Sequence, residues 1–186
     1  MVRNKKRLYV AVYPSGMGQD SYHWALIVGP KIENGAAHGQ RHHVKNQMVG
    51  GWTFVSNRLV DVRVTVQLLA RIAIAKIENE ERVIEAIQKV PVDPVEWEGQ
   101  SCGREPRWTC RVWLLAALKM IKNDGKTLGT NVLDDIEGVI EATKAFVAKQ
   151  MANRRYDSFA MEPKPVLDMM TGEERYTSIY YHKSKL

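Results

Sequence analysis

Apolar positions along the chain follow two different rhythms. In the first third they form short runs closed by turn residues. Arg7 to Tyr13 is a run of apolar, β-branched and aromatic residues broken by Pro14-Ser15-Gly16, and Tyr22 to Val28 is a second one closed by Gly29-Pro30. Asn34-Gly35 and Gly39 lead into a third run, Arg41 to Asn46, and Gly50-Gly51 precede a fourth, Trp52 to Val55. This third of the chain reads as a small antiparallel sheet.

From about Val64 the spacing becomes helical. Leu68, Leu69, Ile72 and Ala75 fall on one helical face, and Val83, Ile84 and Ile87 on another after the acidic stretch Glu78 to Glu81, which predicts one long helix or two consecutive ones. Pro91 and Pro94 end that pattern and open an irregular segment through Pro106, placed to lie over a site. Val112 to Leu118 is apolar on nearly every side and predicts a central buried helix closed by Asn123-Asp124-Gly125. Val132, Ile136, Val139 or Ile140, Thr143, Val147 and Met151 then mark an amphipathic cover helix. Beyond Arg155 no period is visible, and a late aromatic cluster, Tyr176, Tyr180 and Tyr181, lies in a polar tail. The division expected is a domain over 1–155 followed by a tail or arm over 156–186.

A hydrophobic fraction of 45% over 186 residues is enough for one real core and argues against disorder. The basic residues Met1 to Arg7 precede only a short apolar run with no small-residue cleavage site, so no signal peptide is expected. No apolar stretch approaches the roughly 20 residues of a membrane span. The net charge of +6 suits a polyanion, but bases and acids are interspersed and no nucleic-acid motif accompanies them, so no nucleic-acid partner is expected. Two cysteines, Cys102 and Cys110, cannot make a disulfide scaffold; free thiols and a reducing, cytoplasmic setting are the expectation.

Chemistry is concentrated in few residues. Cys110 follows Thr109, a competent N-cap, and opens the apolar helix, where partial positive charge and free N–H groups favour a thiolate and lend a donor to an oxyanion. Plain packing is the competing role of such a cysteine. His23 interrupts the apolar pattern of its strand, and a histidine on a rigid strand makes a base for a thiol. His42 and His43, on the next strand, point to opposite faces, so only one can orient that base. Zinc is the other use of these donors with His38 and Cys102, but no Cys-x-x-Cys or His-x-x-x-His pair is present, and no metal or cofactor is expected.

The order His23-Trp24-Ala25-Leu26-Ile27-Val28-Gly29, a histidine on the next strand and a later cysteine opening a helix resembles the circularly permuted papain-like superfamily, with its NlpC-type and lecithin:retinol acyltransferase-like members. Over roughly residues 7–155 the chain also resembles an uncharacterised group of fungal proteins, through Tyr22-His23-Trp24, His43-Val44-Lys45-Asn46, Leu69-Ala70-Arg71-Ile72 and the stretch at Cys110. The resemblance implies an α+β fold, an antiparallel sheet packed against a cysteine-bearing helix and flanking helices. It implies Cys110 as nucleophile, His23 as base within about 4 Å of it, and His43 as orienter, with His42 the alternative. The reaction expected is acyl transfer from a small-molecule or peptide amide, ester or thioester, by hydrolase, transferase or cyclase chemistry. The context Thr109-Cys110-Arg111-Val112-Trp113 departs from the acyltransferases' Asn-Cys-Glu-His-Phe, so their substrates do not carry over. The rival expectation is a binding or scaffold protein that keeps the fold without turnover.

Overall fold

A computed structural model describes residues 5–15, 21–33, 35–47, 49, 51–92, 94, 96–97, 100–101, 108–157 and 163–175. Four strands, β1 (Arg7–Pro14), β2 (Tyr22–Gly29), β3 (Gly39–Gln47) and β4 (Gly51–Leu59), form an antiparallel meander. A fifth, β5 (Ala70–Ile77), lies antiparallel on the other side of β1, followed by helix α1 (Glu80–Gln88). The short strands β6 (Glu96–Trp97) and β7 (Gln100–Ser101) pair with each other, and α2 (Cys110–Asp124) follows. Then come β8 (Leu128–Asn131), a 3-10 turn at Leu133–Asp135, α3 (Ile136–Ala152), β9 (Val166–Asp168) and β10 (Glu173–Arg175). The large sheet runs β10-β9-β5-β1-β2-β3-β4, with β8 also on β5, and the class is α+β. Among the described residues no helix is long and apolar enough to cross a membrane.

The two sheet faces are covered differently. Leu8, Val10 and Val12 of β1 and Tyr22, Trp24, Leu26 and Val28 of β2 meet the buried sides of all three helices. The alternate residues Tyr9, Ala11, Tyr13, Ala25 and Ile27 pack under Leu59 at the end of β4 and under Ala37, Val62 and Leu68 from the segments that link strands. With both faces buried, β1, β2 and β5 need no polar alternation, which is why their sequences are nearly continuous apolar runs.

That same property explains where sequence spacing misleads. The helix expected around Leu68 to Ala75 is the central strand β5; its run Ala70–Ile77 fits either period because nearly every position is buried. Only Glu80–Gln88 is helical, started by Asn79, whose side chain accepts from the Arg82 N–H. Helix α2 keeps its N-cap Thr109 and ends at Gly125, whose φ of 66° is the left-handed cap that glycine adopts without strain. It is not buried all round, since Arg111, Lys119 and Lys122 line an exposed side. Met151, assigned to the inner face of α3, is 44% exposed, and Phe146 and Gln150 are buried instead. The fold does not end at residue 155. β9 pairs in parallel with β5, and Tyr156 Oη donates to the Leu69 carbonyl. The late tyrosines lie outside the described residues.

The loop-covered face is fastened by charge. Arg71 on β5 is fully buried and pairs with Glu33 at 2.5 and 3.0 Å, its guanidinium 5.2 Å from the centroid of the Tyr9 ring. Arg63 pairs with Asp61 and donates to the carbonyls of Glu33 and Gly35, which holds the β2–β3 connection onto the sheet. A buried pair stabilises little against apolar replacement, but removal of one partner strands the other. Glu33→Ala should therefore cost about 3–5 kcal/mol. Thermal unfolding checks this, and Arg71→Met combined with Glu33→Leu should regain most of the loss; a near-neutral Glu33→Ala would contradict it.

Candidate active site

The site arises where two strands part. β2 pairs with β1 along its whole length, Tyr22 to Gly29, but with β3 only from Leu26 to Val28. β3 stays with β4 from Gly39 to Gln47. From Ala25 back to Tyr22, the edge of β2 toward β3 is therefore open. The Val12 carbonyl is taken by the Leu69 N–H on the far side of β1, so Trp24, opposite Val12, turns its own N–H and carbonyl away from β1 toward that edge, as does Tyr22.

The first turn of α2 docks on this edge. Thr109 Oγ1 accepts from the Val112 N–H at 3.2 Å, and Trp113, one turn on, is fully buried and anchors the helix. Cys110 is half-buried, and its Sγ donates to the Tyr22 carbonyl at 3.9 Å. Burial pushes the thiol pKa up, opposed by the N–H groups of Trp24, Arg111 and Cys110 and by the charge of Arg111. The sulfur is a protonated thiol at neutral pH, held between the two peptide groups that flank His23.

The His23 side chain leaves the opposite face of β2, beside Tyr13, its partner in register on β1. Its ring leans across the gap toward β3, where Nε2 meets His43 Nδ1 at 2.6 Å with ring centroids 4.8 Å apart. Both imidazoles are neutral at pH 7. His23 is lowered to about 4 by burial and then by the charges of Arg41 and Lys45. His43 is lowered to about 3 by burial, then by His23, Arg41 and Lys45, with the Asn57 side chain opposing. The structure thus brings the two histidines together. Cys110 hydrogen-bonds the Tyr22 carbonyl and neither histidine. The reason is strand alternation: Tyr22 and Trp24 face the helices, and His23 faces away.

His42 faces the helix layer instead. It is fully buried, stacked on Phe54 at 6.1 Å, and Phe54 in turn meets Trp113 at 5.8 Å. Neither His42 ring nitrogen has a hydrogen-bond partner. His38, at the start of β3, bonds the Val60 carbonyl at 2.7 Å. The nitrogen donors are therefore dispersed, and among the described residues no group of three His, Cys, Asp or Glu side chains is placed to hold a metal ion. Cys102 lies outside the described residues. Sequence reasoning passed over Arg41, Lys45, Asn57 and Tyr13. The available signal was that Arg41, His43 and Lys45 share one face of β3 by alternation.

By class this is an α+β protein with a sheet backed on one side by three helices, and with a thiol at a helix start beside a histidine pair on neighbouring strands. A family model, described as a family of unknown function (DUF6914), matches residues 5–176, and the chain belongs to that family. The match runs past residue 155 and takes in β9 and β10. No curated protein and no solved structure matches the chain.

Burial of neutral histidines makes stability depend on pH. His42 falls from its ordinary value to about 4 on burial, so as pH drops below about 6.5 the unfolded chain takes up a proton that the folded chain refuses. Stability is full above that pH and is lost as pH falls toward 4, by on the order of 3 kcal/mol for His42 alone, with His23 and His43 acting in the same direction. The melting temperature should fall steeply between pH 6.5 and 4, and less steeply in a His42→Leu variant; the same profile in both proteins would refute the assignment.

Proposed function

We propose that the chain is a cysteine acyl-transfer domain with a permuted papain-like layout: Cys110 as nucleophile, His23 as base and His43 as the group that orients it. The observation that carries this reading is the position of Sγ against the peptide groups on either side of His23, at the start of a capped helix, with His23 already tied through Nε2 to His43. That bond leaves Nδ1 of His23 to meet a thiol. A base of this kind needs its Nδ1 bare, which requires His23 to donate through Nε2 and His43 to carry its proton on Nε2, a buried atom without a hydrogen-bond partner.

The resting state is neutral, with the proton on sulfur. For reaction, Sγ has to leave the Tyr22 carbonyl and meet His23 across the open edge of β2. The imidazole takes the thiol proton, and the thiolate attacks the carbonyl carbon of an amide, ester or thioester. N–H groups at the start of α2 stabilise the oxyanion, and collapse expels the leaving group, which takes the proton from His23 and leaves an acyl-thioester on Cys110. Water or another nucleophile, deprotonated by His23, then removes the acyl group. A cytosolic setting, where thiols stay reduced, suits this chemistry.

A second reading, a binding or scaffold protein that keeps the layout without turnover, draws on the thiol's hydrogen bond to Tyr22 and its raised pKa. Incubation with 4-nitrophenyl acetate separates the two. The acyl-transfer reading expects a single hydroxylamine-sensitive acetyl group on Cys110, found by peptide mass analysis. Its formation should be abolished in Cys110→Ala, reduced on the order of 100-fold or more in His23→Ala, and reduced more mildly in His43→Ala. Acetylation no faster than that of a free thiol, and insensitive to His23, would leave the scaffold reading.

A further inference from the structure

Among the described residues, the charges that act on the histidine pair are positive. Arg41 and Lys45 flank His43 on β3, on the face that carries His23. Both act on the pair by charge, and no carboxylate acts on either imidazole. The Arg41 guanidinium lies 5.2 Å from the centroid of the Tyr13 ring, and its Nε is buried without a hydrogen-bond partner. Among the described residues, acids pair with Lys5, Lys6, Arg63, Arg71, Arg82, Lys122, Lys144, Lys149 and Arg175, but none pairs with Arg41 or Lys45. The contrast with Arg71 is direct: that guanidinium, on the same side of the sheet, is closed by Glu33. Arg41 is half-buried, has no acid partner among the described residues and lies beside two imidazoles, and guanidinium is the group best shaped to take a carboxylate.

We propose that Arg41 and Lys45 form an anion subsite that selects acyl donors with a carboxylate on the acyl chain. The inference rests on the acyl-transfer reading for its consequence in turnover, while anion binding itself does not depend on it. A substrate carboxylate would also attract protons to the neighbouring imidazoles, so the ligand that fills the subsite would make His23 a stronger base at the moment of need.

Two esters of equal chain length test it: 4-nitrophenyl hexanoate, whose acyl chain is neutral, and mono-4-nitrophenyl adipate, whose acyl chain ends in a carboxylate. The adipate ester should acylate Cys110 with a kcat/KM roughly tenfold higher at low salt, the advantage shrinking as salt rises. In Arg41→Gln and in Lys45→Gln the ratio between the esters should fall toward one; Lys45 is exposed, so its variant does not depend on tolerance of a buried change. A parallel titration of the unmodified protein with free adipate, against neutral adipamide, follows the imidazole NMR signals of His23 and His43. Saturable shifts with adipate alone, lost in both variants, are expected. Acylation of Cys110 with no preference for the adipate ester, and no adipate-specific shift, would overturn the subsite and leave the acyl-transfer reading standing. Adipate-specific shifts without any acylation of Cys110 would do the reverse. Failure of both measurements overturns both.

Discussion

β2 stays with β1 for its full length and leaves β3 after three residue pairs, and much of the rest depends on that parting. An open strand edge inside a fold presents backbone groups that must find partners. Here the start of α2 supplies one, because the Cys110 thiol takes the place of a β3 residue by bonding the Tyr22 carbonyl. On the other face, where the ladder fails, the His23–His43 hydrogen bond spans the gap. A thiol and an imidazole pair have thus become substitutes for missing sheet hydrogen bonds, and this brings them to the same few atoms of β2 from two sides.

Electrostatics distinguish this place from the remainder of the sheet. The loop-covered face handles buried arginine by pairing it, as Arg71 with Glu33 and Arg63 with Asp61. Among the described residues the cations beside the histidines have no acid partner, and burial and charge together hold both imidazoles neutral. A core that required only stability would have no use for this arrangement. Apolar residues at His23 and His43 would avoid the desolvation of two imidazoles and the cost of acid sensitivity. His42, by contrast, behaves as a packing group. It stacks on Phe54, which in turn meets Trp113, and offers its nitrogens to nothing.

The meander strands were legible because Gly, Pro or Asn residues stand between them, although β4 runs on to Leu59, past the Val55 expected, and α2 was legible because Thr109 and Gly125 mark its ends. β5 was not. An apolar run buried on both faces has no period of its own, and its polar residue, Arg71, signals a strand only once Glu33 is known to lie beneath it. β9 and β10 are three residues each and owe their place to pairing with β5, Asp168 and Arg175, which no local pattern encodes. At the site, residue types and strand parity could be read in advance, since adjacent histidines on a strand must diverge. The side from which the cysteine approaches could not, because it depends on how far β3 accompanies β2.

On the proposed reading, a packing cysteine becomes a reactive one when its sulfur leaves the Tyr22 carbonyl for His23. With Sγ on the Tyr22 carbonyl the thiol is one more sealed edge contact, its proton secured by burial. Turned toward His23, the same sulfur would face an imidazole whose far nitrogen is already fixed by His43, so the base loses no orientational freedom when the proton moves. The neutral resting pair also avoids maintaining a buried thiolate in the absence of substrate, where its desolvation would work against the fold. An arriving anion beside Arg41 and Lys45 would change that balance in the required direction, favouring imidazolium where the unliganded site disfavours it. On that reading, stability at rest and reactivity on occupation place no contradictory demands on these residues, because each is satisfied by a different position of the same proton.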